Sequence, residues 1–91
     1  MRSESKVQKS IIDYMEDNGW YVVRLIVTNK NGIPDLICVK PDVSIFIEVK
    51  KETGGVVSPL QRYRMSELKS LGFKSIVADC LSDVIEFLKT V

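Results

Sequence analysis

Apolar positions along this chain switch between a helical and an alternating period, and the switches mark its elements. From Glu4 to Asn18, Val7, Ile11, Tyr14 and Met15 fall at helical spacing, and Gly19 follows as a stop. Either Ser3 or Ser5 caps this helix. Ser5 with Gln8 fits a capping box, whereas Ser3 would put Glu4 in the first turn, where the helix dipole favours an acid. WYVVRLIV, residues 20–27, is rich in β-branched and aromatic residues and predicts a strand. TNKNGIP reads as a loop, with Pro34 biasing Ile33 toward extended backbone. DLICV and SIFIEVKK then flank turn candidates Lys40, Pro41, Asp42 and Val43, which predicts a hairpin.

After the connection ETGGVV, Ser58 as N-cap, Pro59 at N1 and Gln61 at N3 open a helix to about Leu71, with Gly72 as its stop. Leu60, Met65, Leu68 and Leu71 are its expected buried face. FKSIVAD, residues 73–79, predicts another strand, and Ser82 is expected to cap a short last helix carrying Val84, Ile85 and Leu88. The order is αβββαβα. A strand–helix–strand crossover makes the last strand parallel to its partner, with a right-handed connection. The fold class expected is α/β, an α+β arrangement with a mixed, mostly antiparallel sheet flanked by helices. No repeat, low-complexity run or dividing linker is present, so residues 1–91 are expected to form one domain.

Two of the apolar strands carry an acid where burial penalises charge. Asp35 opens DLICV and Glu48 interrupts SIFIEVKK, and a carboxylate on a half-buried strand is costly unless a cation or hydrogen bonds compensate it. If the hairpin loop is symmetric about Pro41 and Asp42, paired residues have numbers summing to 83, and Asp35 lies opposite Glu48. Opposed residues share a face, with Cβ atoms roughly 4.5–5.5 Å apart. Lys50 points to that same face. Two carboxylates so close repel, raising one pKa, unless a divalent cation lies between them. A three-residue loop would shift the pairing by one and part the acids across the sheet.

Composition narrows the chemistry. The 91 residues contain no histidine, which removes Ser-His-Asp and Cys-His pairs, HExxH zinc sites and histidine bases. Oxygen donors remain, and these select Mg²⁺, Mn²⁺ or Ca²⁺. Cys38 lies in an apolar strand and Cys80 follows another, so both are read as buried free thiols. The net charge of +1 gives no global basic footprint. With Glu4, Asp35 and Glu48 engaged by metal, the rest of the surface would be basic, and Lys30, Lys50, Lys51, Arg62 and Arg64 can all lie near the site. Each is otherwise plain solvated charge. Arg24 either snorkels from a strand edge or points to a phosphate. Glu4, on the face of Val7 and Ile11, is either a dipole-stabilised carboxylate or a third acidic ligand. Gln61 either completes the capping box or hydrogen-bonds at the metal site or to substrate. Mean hydropathy is +0.05 and no apolar run approaches the roughly 18 residues that span a bilayer, which predicts a soluble chain. MRSESKVQKS lacks a signal-peptide core, so the cytoplasm is the expected compartment.

Pro34-Asp35, followed after twelve residues by Glu48-Val49-Lys50, resembles the motif of the PD-(D/E)xK nuclease superfamily, and the element order matches its restriction-endonuclease-like αβββαβ core with a C-terminal helix. Glu4 on the first helix, GIPD, EVK and S-P-L-Q with Gln61 are similar to the small stand-alone VRR-NUC domains of viruses and bacteria, which in turn resemble Holliday-junction resolvases. The resemblance implies that Asp35, Glu48 and the Val49 carbonyl bind Mg²⁺ or Mn²⁺, that Glu4 contributes directly or through water, and that Lys50 orients the attacking water or the scissile phosphate. Gln61 would support the site. Lys51, with Lys30, Arg24 and Arg62, is a candidate DNA contact. The implied activity is a metal-dependent endonuclease acting on DNA phosphodiesters, selective for branched, flap or four-way-junction structure, as a homodimer in a bacterial or phage-infected cell. Two other readings stay open: a non-catalytic DNA-binding or assembly module in which the acids and Lys50 form a structural ion pair, and a nuclease subunit whose specificity comes from a partner.

Overall fold

Ser3 opens the first helix: its Oγ accepts from the Lys6 N–H, and α1 runs Glu4–Asp17 with Glu4 in the first turn. The Ser5 capping box is therefore not used. At the other end Gly19 takes φ 86, which lets its N–H reach the Glu16 carbonyl while the Trp20 N–H reaches Met15, a Schellman stop. The structure, a computed structural model, describes residues 1–91. Strands β1 (Tyr21–Arg24), β2 (Leu36–Lys40) and β3 (Val43–Val49) follow, then α2 (Pro59–Ser70), β4 (Lys74–Ala78) and α3 (Leu81–Leu88). The sheet order is β1-β2-β3-β4, with the first two pairings antiparallel and β3–β4 parallel, as the crossover argument requires.

The hairpin loop is two residues long, and its pairs Lys40–Val43, Cys38–Ile45 and Leu36–Ile47 all sum to 83. Pro41 presets φ, and Asp42 takes φ 66, the positive value a tight turn needs after proline. Alternation then sorts β3 cleanly. Ile45, Ile47 and Val49 join Leu36, Cys38, Ala78, Val7, Ile11, Met15 and Val84 in one buried cluster, so α1 and α3 cover that face. Phe46 and Glu48 point to the opposite face, which α2 covers from the β4 side. No helix is long and apolar enough to cross a membrane.

Four expectations are corrected. The first strand stops at Arg24, not Val27, because its partner begins only at Leu36; after the Leu25 N–H reaches the Asp35 carbonyl at 2.8 Å, Pro34 has no N–H to extend the ladder. Helix α2 buries none of its residues: Leu60 is 41% and Leu71 72% exposed, while Met65 and Leu68 are half-buried. The sheet face on its side holds Phe46 and Ser75 buried as a directly opposed pair, and Leu60 leans on Gly32, where an added Cβ would fall 2.7 Å from the Leu60 Cγ. The cap of α3 is Cys80, not Ser82, because Asp83 reaches back to accept from the Asp79 N–H at 3.1 Å and starts the helix earlier. Both cysteines are free, but only Cys38 is fully buried. Burial pushes the Cys38 thiol up to about 12, which leaves it inert as a nucleophile.

Candidate metal centre

With the register above, Asp35 sits one residue before β2 and faces the end of β3, where its Oδ2 accepts from the Val49 N–H at 2.8 Å. That bond holds the carboxylate beside Glu48. Glu48 is 2% exposed, and its Oε2 accepts from the Lys50 ammonium at 3.0 Å and from the Gln61 Nε2 at 2.7 Å. The Lys50 ammonium also donates to the Gln61 Oε1 at 3.0 Å. The Lys50 backbone N–H is tied to the Ala78 carbonyl at 2.9 Å, which anchors the residue just past β3. Its stem is packed by backbone: a Cβ on Gly55 would fall 2.6 Å from the Lys50 Cβ.

One atom in this network has no partner. Glu48 Oε1 is buried and accepts no hydrogen bond. A buried, orphaned carboxylate oxygen costs about 1–3 kcal/mol or more in desolvation, and burial is the first cause that raises the Glu48 pKa. The Lys50 hydrogen bond and charge oppose the rise, while the charges of Asp35 and Glu4 add to it. Asp35 likewise uses only Oδ2 within the chain. Two opposed acids with one free oxygen each form an all-oxygen donor set of the kind hard divalent cations take. The residues present fit such an ion.

Glu4 is exposed and reaches Glu48 through its charge. Its approach is set by the N-terminal segment, where the Glu52 N–H donates to the Arg2 carbonyl at 3.2 Å and the Arg2 N–H to Glu52 Oε2 at 3.3 Å. Glu4, Asp35 and Glu48 do not close to within 4.8 Å of one another. Asp79, Cys80 and Asp83 do gather their ligand atoms within that distance, a cluster the sequence reading passed over. Asp83, in the first turn of α3, already accepts there from the Asp79 N–H.

The cations divide. Lys51 is exposed and lies beside Lys50, bordering a recess of about 150 Å³ with Gly54, Gly55 and Asp79. Arg62 is exposed on the first turn of α2, next to Gln61, and Lys30 is exposed on the loop before Pro34. Arg24 pairs with Leu36, whose side chain lies in the α1 core, so it projects from the face away from Glu48. Arg64 is spent on structure, donating to the Asn31 carbonyl at 2.8 Å and pairing with Glu67 at 2.9 Å. It pins the loop before Asp35 to α2.

The family model for the VRR-NUC domain matches residues 21–80, a stretch that contains Asp35, Glu48, Lys50 and Gln61. The chain belongs to the VRR-NUC family. VRR-NUC domains are of the PD-(D/E)xK nuclease type, whose members generally use divalent metals. A solved structure named VRR_NUC domain is 27% identical to this chain, with a TM-score of 0.85 over 98% of this chain and 97% of its own. Another, named VRR_NUC domain protein, is 23% identical with a TM-score of 0.79, covering 96% of this chain and 85% of its own, and shows the shared fold. No curated protein matches the chain. The VRR-NUC match begins after α1, so Glu4 lies outside it.

Proposed function

We propose that this VRR-NUC domain is a metal-dependent endonuclease that hydrolyses DNA phosphodiesters and selects branched, flap or four-way-junction structure over sequence. The observation that carries the reading is the buried, unpartnered Glu48 Oε1 beside the half-used carboxylate of Asp35. Asp35, Glu48 and the Val49 carbonyl would hold Mg²⁺ or Mn²⁺, with Glu4 contributing through water. When bound, the cation supplies a lowered water pKa and neutralises charge on the phosphoryl transition state. Asp35 is held in place by the Val49 N–H, and Glu48 by the Gln61 amide. Lys50, 3.0 Å from Glu48 and packed against Gly55, presents a fixed positive charge that orients the scissile phosphate or the attacking water. Lys51, Arg62 and Lys30 meet the flanking phosphates. Arg24, on the other face, contributes only to DNA that wraps the β1 edge.

Edge strand β1 and the following loop expose Tyr21, Val23, Ile26 and Val27, and this apolar edge supports a homodimer presenting two cleavage centres. A structural ion-pair module is the second reading, favoured by the 3.0 Å Lys50–Glu48 contact. It gives no role to the orphaned Glu48 oxygen. The deciding experiment is a cleavage panel of duplex, single strand, flap and four-way junction with Mg²⁺, Mn²⁺ or EDTA. Nicking of branched DNA that needs metal and is lost in Asp35→Asn is expected; metal-independent binding without nicking would sink the nuclease assignment. Gly55→Ala is expected to displace Lys50 and lower the cleavage rate by about 10²-fold, with the fold retained on circular dichroism. A variant cleaving at the normal rate would show that Lys50 needs no such packing.

A further inference from the structure

We propose, resting on the nuclease reading above, that Ser58 is a positioning residue of this site: through the capping box of α2 it dictates which way round the Gln61 carboxamide sits, and so which oxygen of Glu48 stays free. The hydroxyl acts by fixing the first turn of α2, and the Ser58 backbone N–H held by that turn orients the carboxamide. Ser58 Oγ accepts from the Gln61 N–H at 3.1 Å, and the Ser58 N–H donates to Gln61 Oε1 at 2.9 Å. The same Oε1 accepts from the Lys50 ammonium at 3.0 Å. A carboxamide has one acceptor end and one donor end. Turned over, it would set its NH₂ against two donors and leave three N–H groups without an acceptor. Held as it is, its Nε2 has to meet Glu48, and it does so at Oε2, at 2.7 Å.

The consequence reaches the carboxylate. Oε2 is saturated by Gln61 and Lys50, and Oε1 is the oxygen left unpartnered. A capping box normally satisfies free N–H groups at a helix start and has no further role. In α2 the N3 side chain of that box is also a bridge between Lys50 and Glu48, so the helix cap and the site share one amide. The cap of α1 offers the contrast, because Ser3 accepts from the N–H of Lys6 and that bond involves neither Gln61, Lys50 nor Glu48.

The test compares Ser58→Ala, Ser58→Thr and Ser3→Ala, reading the Gln61 side-chain NH₂ by ¹H–¹⁵N relaxation and cleavage of branched DNA at saturating Mg²⁺. In Ser58→Ala the Gln61 carboxamide is expected to become mobile, with an order parameter below about 0.6. Its kcat should fall about five- to tenfold with little change in KM. Threonine keeps an acceptor oxygen, so Ser58→Thr restores both readings. Ser3→Ala, which removes the equivalent cap from α1, leaves the Gln61 signals unmoved. A carboxamide that stays rigid in Ser58→Ala, that loosens equally in Ser3→Ala, or that loosens without any fall in kcat overturns the inference. A wild-type protein that cleaves nothing overturns the nuclease reading instead, and the relaxation comparison separates the two failures.

Discussion

Glu48→Gln is expected to lower cleavage by at least about 10²–10³-fold while leaving the metal-free fold as stable as the wild type or more so. The substitution keeps the side-chain volume and an oxygen for Gln61 to donate to, but removes a charge that burial disfavours. Lys50 loses its counter-charge yet keeps its bond to Gln61 Oε1 and remains partly exposed, so it is not stranded. The pH dependence follows from the raised Glu48 pKa. The native state holds that proton more tightly than the unfolded chain does, so Glu48 costs no stability below about its ordinary value of 4.5 and becomes destabilising as pH rises from there through the raised value. Thermal melts in EDTA should therefore show the wild type losing ground to Glu48→Gln as pH rises from mildly acidic to neutral. Added Mn²⁺ should raise the wild-type Tm and leave the variant unmoved. Equal stabilisation of both proteins, or an active variant, would place the metal elsewhere.

The largest effect on stability is expected at Ile11, on the far side of the sheet from the acids. Ile11 is fully buried between α1 and the strands, and Ile11→Ala should cost about 2–5 kcal/mol. For a chain of this length the whole stability is roughly 5–14 kcal/mol, so the Tm should fall by roughly 10–25 °C. Leu71→Ala, at a side chain 72% exposed beyond α2, should move it by only a few degrees. Similar shifts in the two variants, read by calorimetry, would mean that the core is not one-sided. The asymmetry matters for the site. The α1 face holds Leu36, Cys38, Ile45 and Ile47 buried, so a one-residue slip of the hairpin would expose them all. The same register keeps Asp35 beside Glu48. The positions of the acids are thus enforced by apolar packing on the face they do not occupy.

Legibility along the chain tracks how local each cause is. Pro41-Asp42 and the alternation of its flanking strands are short-range signals, and the pairing they imply is the pairing observed. The cap of α2 was equally readable from Ser58, Pro59 and Gln61. The burial of α2 was not, because spacing on a helix says which residues share a face but not how much apolar surface the sheet offers to that face. The first strand was overread at Leu25 to Val27 for a related reason: β-branched residues favour a strand, yet a ladder lasts only as long as its partner. Arg24 and Arg64 looked equivalent to Lys51 and Arg62 as cations. Pairing with Leu36 turned the first away from the acids, and Asn31 and Glu67 occupied the second.

By itself, then, the sequence determined the order of elements and, on condition of a two-residue turn, the hairpin register that sets Asp35 against Glu48 with Lys50 on the same face, since these follow from side-chain alternation and turn chemistry within a few residues; the structure supplied the turn length. Only the tertiary structure decided that Gln61 serves the helix cap and the Glu48–Lys50 pair at once, where the sequence offered these as alternatives. Only it could single out Glu48 Oε1 as the buried oxygen without a donor. The physical reason is that hydrogen-bond saturation and burial belong to groups brought together from β3, α2 and the loop between them, and no periodicity in the chain encodes which of two oxygens is left over.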